Sequence, residues 1–500
     1  MEIKMTFTHR YIARIVLEAA TGLFVGSGEA SLLKDALVQK DIHGLPMIQG
    51  TSLLGVLRHS FLDNVTFDSF DEHKEFLINL WGYQLFGEEK KAFENYYKAK
   101  YNKKNAPDGF GSRLKISSAY MLVNENEIAE GLTAQIPENV IGKYTNISSR
   151  QHVRINDRGV AVNNGLFDNE IVYKGTRFIF ELELKGTSDD KNHWDAILAN
   201  FSSPLFRIGQ GTRNGYGKLN IHSLEQRVYN LTDSNDFEAY LNFNPSFNHK
   251  NDGFVTDYKS NETTALTEYK LILKPDKFFI FSEGFGDDEA DNKPVMEKVA
   301  IYKDNTITFD VQTLIPASSI KGALSHRTAF HYNKLTEKWA DKLLSLENKQ
   351  LRELNIKCYT GTANDAVFEL FGGAAGDEKR ETGQRGKVIL NDFYFTKEEI
   401  NSNDKIFNHV AIDRFTGGAL DGALFSEKVS YFKEEETSFE FSVYLDYDKE
   451  DTIKKAFEET LKDVCRGLLP LGGMTTKGHG IFTGKVLKGT QTFFDYDSNN

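Results

Sequence analysis

The chain has 500 residues, more than one ordinary hydrophobic core needs, so its length predicts roughly two to four domains. Its 40% hydrophobic and 26% charged residues are typical of a globular protein, and its formal net charge of −12 argues against a protein that coats nucleic acid over its whole surface. The sequence has no bilayer-length apolar run and no secretory signal, and Cys358 and Cys465 lie too far apart for a CxxC site. We therefore expect no membrane partner and a cytoplasmic location.

The predicted elements of the first half alternate between strands and helices. Ile15–Glu29 (IVLEAATGLFVGSGE) predicts an apolar strand that ends in a glycine turn, and Pro46–His59 (PMIQGTSLLGVLRH) predicts a helix capped by Ser52. Gly175–Leu184 (GTRFIFELEL) alternates apolar and polar residues as a half-buried strand does, and Arg207–Lys218 (RIGQGTRNGYGK) predicts a glycine-rich turn. This order favours an α+β unit of the ferredoxin-like (RRM-like) type, a common platform for single-stranded RNA.

Most of these blocks occur a second time, in the same order. The matched second copies are Leu271–Phe285, Leu314–Arg327, Val410–Glu427 (which matches Val153–Glu170) and Pro470–Ile481. Without a gap, the first pair of blocks places Asp35 opposite Asp291. Several matches in one order predict a tandem duplication, and therefore two domains of the same fold.

The duplication predicts the domain organisation of the chain. We expect a first domain at residues 1–224 and a second domain at residues 265–490. Residues 225–264 are rich in Asn, Asp and Ser and predict a linker, and residues 491–500 predict an acidic tail.

Small hydroxyl residues stand at both predicted helix starts, in the form Thr51-Ser52 and Ser318-Ser319. Unpaired N–H groups and the helix dipole favour a phosphate there, at roughly 0.3–1 kcal/mol per charge. The alternative interpretation is a capped helix that packs closely on the sheet, and the sequence leaves both open.

The glycine-rich blocks match neither the P-loop nor the GxGxxG fingerprint, so nucleotide hydrolysis is not expected. Arg213, Lys218 and Lys477 lie in or beside these blocks, where backbone amides and cations can hold phosphates together. Arg150 and Arg154 form a second basic cluster in SSRQHVR. The alternative is a tight turn surrounded by ordinary surface cations.

Two motifs carry a resemblance to a known family. DALVQKDIHGLPMIQGTSLLGVLR (Asp35–Arg58) and VAIDRFTGGALDGALFSE (Val410–Glu427) resemble motifs of the RAMP superfamily of CRISPR-associated proteins, in particular the repeating backbone subunits of type III effector complexes. The resemblance covers both halves, so the chain resembles a fusion of two such subunits, similar to the double-unit subunits of type III-D-like systems. It implies two tandem RAMP domains.

The sequence departs from the family pattern at several positions. Leu54 stands where the family usually has Lys, Gln49 where it has Pro, and Ser325 where it has Arg. The second copy also has 11 more residues than the first between Asp291 and the IPASS motif, so we expect the loop that carries Asp291 to be longer.

The resemblance implies guide-RNA binding without base reading, since guide–target pairing would supply the sequence specificity. The expected RNA-binding residues are Thr51, Ser52, Arg58, Arg150, Arg154, Arg213, Lys218, Ser318, Ser319, Lys321, Arg414 and Lys477. The expected partners are guide RNA, complementary target RNA and other subunits of a type III effector complex.

The leading functional hypothesis is a metal-dependent, RNA-guided endoribonuclease. In this hypothesis Asp35 and Asp291 are catalytic and the cofactor is a divalent cation, expected to be magnesium, whose ligands the sequence does not identify. One alternative is a non-catalytic RNA-binding scaffold. Another is a metal-independent nuclease that processes precursor guide RNA through His59, His152 or His326, which is weaker because the sequence shows no His beside a basic partner and a Tyr.

Overall fold

The computed structural model describes residues 7–31, 34–62, 72–82, 87–102, 111–156, 159–256, 266–339, 357–376, 381–402, 404–434 and 437–499. In the first domain the strands are β1 His9–Ala19, β2 Met47–Ile48, β3 Leu114–Ile116, β4 Ala119–Met121, β5 Ser149–Ile155, β6 Ala161–Glu170, β7 Arg177–Gly186 and β8 Leu219–Asn230. The helices are α1 Gly50–Leu62, α2 Glu72–Trp81, α3 Gly87–Tyr101, α4 Glu138–Tyr144, α5 Lys191–Asn200 and α6 Ser234–Leu241.

The second domain contains additional short strands. Its strands are β9 Thr267–Pro275, β10 Met296–Lys303, β11 Thr306–Ile315, β12 Gly372–Gly373, β13 Gln384–Arg385, β14 Val388–Leu390, β15 Phe393–Phe395, β16 Ile400–Asn401, β17 Ile406–Ile412, β18 Ala419–Lys428, β19 Tyr431–Phe432, β20 Phe439–Leu445, β21 Phe482–Lys488 and β22 Gln491–Asp495. Its helices are α7 Ala317–Leu335, α8 Asp365–Phe371 and α9 Thr452–Cys465.

The main sheet of the first domain is antiparallel and has β1 near its centre. Strand β1 pairs with β7 on one side and with β8 on the other, and β3 pairs with β7, so four of its six strands have the order β8-β1-β7-β3. The short strand β4 also pairs with β7, and β2 pairs with β4. Helix α1 lies between β1 and β3 in the chain, and α5 lies between β7 and β8. This β-α-β-β-α-β order is the ferredoxin-like arrangement that the sequence predicts.

The second sheet has the same topology. Strand β9 pairs with β20 and β21, and β14 pairs with β20, so the order β21-β9-β20-β14 repeats that of the first sheet. Helices α7 and α9 take the places of α1 and α5, and Phe457, Leu461 and Val464 bury the apolar face of α9 in the second core. The chain therefore contains two tandem ferredoxin-like domains.

The segment expected to be a linker is largely part of the first domain. Strand β8 continues past residue 224 to Asn230, and α6 follows with Asp233 as its N-cap. Beyond α6, Arg14 of the sheet donates to the carbonyl oxygens of Asn244 and His249 (2.7 Å each) and packs against the ring of Phe243. The expected boundary therefore differs from the structure, because residues 242–256 cover the face of the sheet that carries Arg14. Residues 257–265 lie outside the described residues.

The chain end is also more ordered than an acidic tail. Residues 491–495 form β22, which pairs with β21 at the edge of the second sheet. Within the described part of the chain, none of the helices combines the length and the apolar character needed to cross a lipid bilayer.

The 11 additional residues of the second copy lengthen the β10–β11 hairpin and not the loop around Asp291. Asp304 and Asn305 form its turn with φ of 51° and 55°, the left-handed pair that a tight two-residue hairpin turn requires. The hairpin reaches the first domain, where Ala300, Tyr302 and Ile307 join the first hydrophobic core. The insertion therefore joins the two domains.

A buried ion-pair network also joins the domains. Arg150 of β5 donates to both carboxylate oxygens of Glu297 (2.5 and 2.6 Å) and to Asp392 Oδ2 (2.6 Å). Glu297 and Asp392 belong to the second domain, and the Asp392 side chain is completely buried. The Arg150 guanidinium also lies 4.6 Å from the centre of the Tyr216 ring. This network fixes one orientation of the two domains.

Candidate RNA-binding and cleavage site

Asp35 and Asp291 occupy the same position in the two domains. The Asp35 N–H donates to Asp168 Oδ1 (3.0 Å), and the Asp168 N–H donates back to Asp35 Oδ2 (2.9 Å). In the second domain the Asp291 N–H donates to Ser426 Oγ (3.2 Å), and the Ser426 N–H and hydroxyl donate to Asp291 Oδ2 (2.8 and 3.0 Å). Each exposed carboxylate is thus fixed to β6 or β18 through one oxygen.

This arrangement suits a carboxylate that acts on a bound ligand. The hydrogen bonds from Ser426 to its carboxylate lower the pKa of Asp291, so this group is ionised at neutral pH. Among the described residues, no hydrogen bond is made to Oδ1 of either Asp35 or Asp291. One oxygen of each carboxylate orients the side chain, and the other is available to a ligand.

The first hairpin, β5–β6, contacts the glycine-rich loop of its own domain. The His152 ring stacks on Phe167, and its Nε2 lies 2.5 Å from the Tyr216 hydroxyl. Burial and the charge of Arg150 lower the pKa of His152 to about 4, so its imidazole is neutral at pH 7. The structure therefore brings together a His, a Tyr and an Arg, contrary to the expectation that no His has such neighbours. No sequence pattern predicts this cluster, because Tyr216 lies 64 residues after His152 in the chain.

The second hairpin, β17–β18, is joined to its glycine-rich loop by a buried carboxylate. His409 stacks on Phe425, and the Nε2 atoms of His409 and His479 lie 2.9 and 3.2 Å from Glu427 Oε1. Lys477 lies 4.3 Å from the centre of the Phe425 ring. The two hairpins are therefore equivalent in position, although their internal contacts differ.

The glycine-rich loops share one backbone conformation. Gly209 and Gly472 have φ of 89° and 93°, and a Cβ atom at these positions would lie 2.1 Å from the Phe24 carbonyl oxygen and 2.3 Å from that of Ile280. Only glycine fits such contacts. The fold itself requires these two glycines, so they are not evidence of RNA binding. The cations of the loops are the residues that could bind RNA.

The helices begin before the serines that were expected to cap them. Helix α1 begins at Gly50 and α7 at Ala317, so Ser52 and Ser319 are each the third residue of a helix. The capping prediction is therefore wrong. Among the described residues, the hydroxyls of Ser318 and Ser319 make no hydrogen bond, and both are free to contact a ligand.

A cleft of about 930 Å³ opens beside the start of α7. Its walls come from both domains, and they include Arg150, His152 and Arg154 of β5, Ser318, Ser319, Gly322 and His326 of α7, and Gly472, Gly473 and Thr475 of the second glycine-rich loop. A Cβ atom added to Gly322 would meet nothing within 4 Å, so this face of the helix is open to a ligand.

The corresponding start of α1 lies at a second depression of about 770 Å³. Its lining includes Thr51, Lys115 and Lys185, with Arg113 beside them. Of these two depressions, the hairpin of the first domain lines the cleft at α7 and not the one at α1. The two helix starts therefore differ in what lies across from them.

The expected RNA-binding residues fall into three groups. Arg150 is not available to RNA because its guanidinium is buried and ion-paired in the interdomain network, which corrects the expectation for this residue. The others are placed as follows: exposed, Thr51, Arg58, Arg154, Ser319, Arg414 and Lys477; half-buried, Ser52, Arg213, Lys218, Ser318 and Lys321.

The half-buried cations lie where the domains meet. Lys321 of α7 donates to Asn214 Oδ1 of the first glycine-rich loop (3.2 Å), and Arg213 donates to the carbonyl oxygen of Gly386 (2.7 Å). Burial and the charge of Arg213 lower the pKa of Lys321 to about 8. Burial also lowers the pKa of Lys218. These shifts are typical of positive charges that lack full compensation, and a bound phosphate would supply it.

The described residues do not form a metal site of their own. They contain no group of three or more His, Cys, Asp or Glu side chains arranged to hold an ion. The partner of Asp291 is the Ser426 hydroxyl, and Asp41 Oδ1 accepts hydrogen bonds from the N–H groups of His43 and Leu45 (2.8 and 2.9 Å), which shape a turn. The described residues do not fit a resident divalent cation, and magnesium dependence stays a prediction.

The fold and these sites define a tandem α+β protein whose two ferredoxin-like domains each present a helix start, a glycine-rich loop and a hairpin. A family model described as the RAMP superfamily matches residues 16–220 and 305–483. The chain therefore belongs to the RAMP superfamily, whose members are CRISPR-associated RNA-binding proteins, and it contains two tandem units. A search of curated proteins found no match to the chain.

Proposed function

We propose that the chain is a guide-RNA-binding backbone subunit of a type III CRISPR effector complex and that it cleaves target RNA at Asp35 and Asp291. The observation that carries this proposal is the equivalent placement of the two aspartates. Each is exposed, and each is oriented by β6 or β18 of its own domain through one carboxylate oxygen. Two copies of one geometry in one chain favour two cuts in one target.

Phosphate contacts would hold the guide RNA. The open start of α7 presents the hydroxyls of Ser318 and Ser319 together with the positive end of the helix dipole. Lys321 and Arg213 lie nearby, at the interface between the domains. The hairpin of one unit lies across from the helix start of the next. The same relation between neighbouring subunits would extend the RNA-binding surface into a filament.

The proposed chemistry is a transesterification within the target strand. The free carboxylate oxygen accepts the proton of the 2′-hydroxyl while the 2′-oxygen attacks the adjacent phosphorus in line. The P–O5′ bond breaks, the 5′-oxygen takes up a proton from solvent, and the products are a 2′,3′-cyclic phosphate and a 5′-hydroxyl. Guide pairing selects the scissile position, so the protein needs no base-reading residues.

The test uses the complete complex with an end-labelled, guide-matched target RNA and magnesium on a denaturing gel. Asp35→Ala should abolish one cut and Asp291→Ala a second cut, while target affinity is unchanged, because a carboxylate adds nothing to phosphate binding. Asp288→Ala is the matched control, since Asp288 is an exposed aspartate of the same loop as Asp291. Unchanged bands in both aspartate variants would favour a non-catalytic scaffold, and cleavage that survives EDTA would contradict magnesium dependence.

One observation favours a second candidate function. His152 contacts the Tyr216 hydroxyl, the kind of pair that a metal-independent nuclease for precursor guide RNA would use. The low pKa of His152 makes its imidazole a weak base, which places this candidate second. His152→Ala should leave guide ends unchanged; unprocessed precursor in that variant would favour the processing nuclease instead.

A further inference from the structure

A lysine and a carboxylate tie the Asp35 loop to its hairpin. Lys34, the residue before Asp35, donates to Glu170 Oε1 and to the Ile147 carbonyl oxygen (2.8 Å each). Glu170 Oε2 accepts from the N–H of Val38, and the Glu170 side chain is only 5% exposed. The loop is therefore held to the last residue of β6 on both sides of Asp35.

The loop of Asp291 is held at the same place by the opposite charge. Lys428, the last residue of β18, lies 2.8 Å from both Asp287 Oδ2 and Glu289 Oε2, and its side chain is 6% exposed. Asp287 Oδ1 also accepts from the N–H groups of Glu289 and Ala290. The lysine that ends this strand lowers the pKa of Asp287 to about 2, so the ion pair is complete at neutral pH.

The strand residues of the two ion pairs are equivalent by position, although Lys34 directly precedes Asp35 and Asp287 lies four residues before Asp291. Glu170 lies two residues after Asp168, the partner of Asp35, and Lys428 lies two residues after Ser426, the partner of Asp291. The strand contributes the anion in the first domain and the cation in the second. Both domains therefore share an ion pair at the end of the strand, in addition to the hydrogen bonds that link each aspartate to that strand.

We propose that Lys34 with Glu170, and Asp287 with Lys428, are positioning pairs that set the orientation of Asp35 and Asp291 for RNA cleavage. This inference rests on the proposed endoribonuclease function. None of the four residues contacts the reacting atoms; each acts through the loop that carries an aspartate. Because a shift of about 1 Å in a reacting group can cost roughly 100-fold in rate, loss of one pair should slow one cut selectively.

The experiment measures the rates of both cuts in the complete complex at saturating target. Lys34→Met should slow the Asp35-dependent cut about 10- to 100-fold and leave the other cut and the target affinity unchanged. Lys428→Met should slow only the Asp291-dependent cut. Lys34→Arg and Lys428→Arg, which keep the charge, should restore most of the rate.

The control is Lys40→Met, because Lys40 lies in the Asp35 region but donates to the Thr145 carbonyl oxygen and not to β6. Asp287→Asn provides a second variant on the exposed side of the pair in case Lys428→Met lowers the folded fraction. The positioning role would be overturned if Lys34→Met slowed both cuts equally. It would also be overturned if Lys34→Met slowed neither cut while Asp35→Ala abolished its own. If Asp35→Ala and Asp291→Ala abolish no cut, it is the proposed function itself that fails.

Discussion

Replacing Arg150 with methionine tests whether the buried network determines the stability of the junction between the domains. Methionine retains an unbranched apolar stem but removes the guanidinium, with its charge and its donors. The change leaves two carboxylates without their partner, Asp392 with a completely buried side chain and Glu297 with a side chain that is 17% exposed. Breaking a buried ion pair on one side typically costs about 3–5 kcal/mol, because the remaining charge stays desolvated.

We expect Arg150→Met to lower the free energy of unfolding by about 4 kcal/mol at pH 8, a large part of the roughly 5–15 kcal/mol typical of a domain. Burial raises the pKa of Asp392, and removal of Arg150 takes away the main opposing influence. A carboxyl group whose pKa is raised in the folded state destabilises that state as pH rises through this pKa. The loss should therefore be smaller at pH 5 than at pH 8.

The assay is urea unfolding at pH 5 and pH 8, followed by far-UV circular dichroism and by tryptophan fluorescence, to which the buried Trp194 of the first core contributes. Arg154→Met is the matched control, since Arg154 lies on the same strand and is exposed, and it should change the free energy by less than about 0.5 kcal/mol. Equal effects of the two substitutions, or a loss at pH 5 as large as at pH 8, would refute the argument from a desolvated charge.

Burial and the charge of Arg213 lower the pKa of Lys321 to about 8. When a guide-length RNA binds at pH 8, its phosphate should favour the charged lysine, so the complex should take up a proton. Calorimetry in two buffers of different ionisation enthalpy should detect this uptake in the native protein and not in Lys321→Met. Arg14→Met should destabilise the first domain by about 1.5–3 kcal/mol, because its guanidinium donates to the carbonyl oxygens of Asn244 and His249; an unchanged urea midpoint would show that residues 242–256 are dispensable, as a simple linker would be.

The sequence determined the duplication, the ferredoxin-like fold and the equivalence of Asp35 and Asp291. These properties depend on local patterns: apolar alternation in the strands, glycines at tight turns, and short motifs repeated in one order. Local sequence patterns predict the structure correctly because the residues of each pattern remain neighbours in the fold. Asp35 and Asp291 remain equivalent despite the 11 additional residues of the second copy, because these residues lengthen β10 and β11 and not the Asp291 loop.

Only the tertiary structure decided which polar residues have partners. Arg150 and Arg154 look alike in the sequence, yet one is buried against Asp392 of the other domain and the other is exposed. The polar composition of residues 225–264 predicts a linker, but Asn244 and His249 accept hydrogen bonds from Arg14, and Val255 pairs with Gln226 of β8. The physical reason is that a charge or a carbonyl is satisfied by whatever group the fold brings within about 3 Å, and these groups lie far apart in the chain.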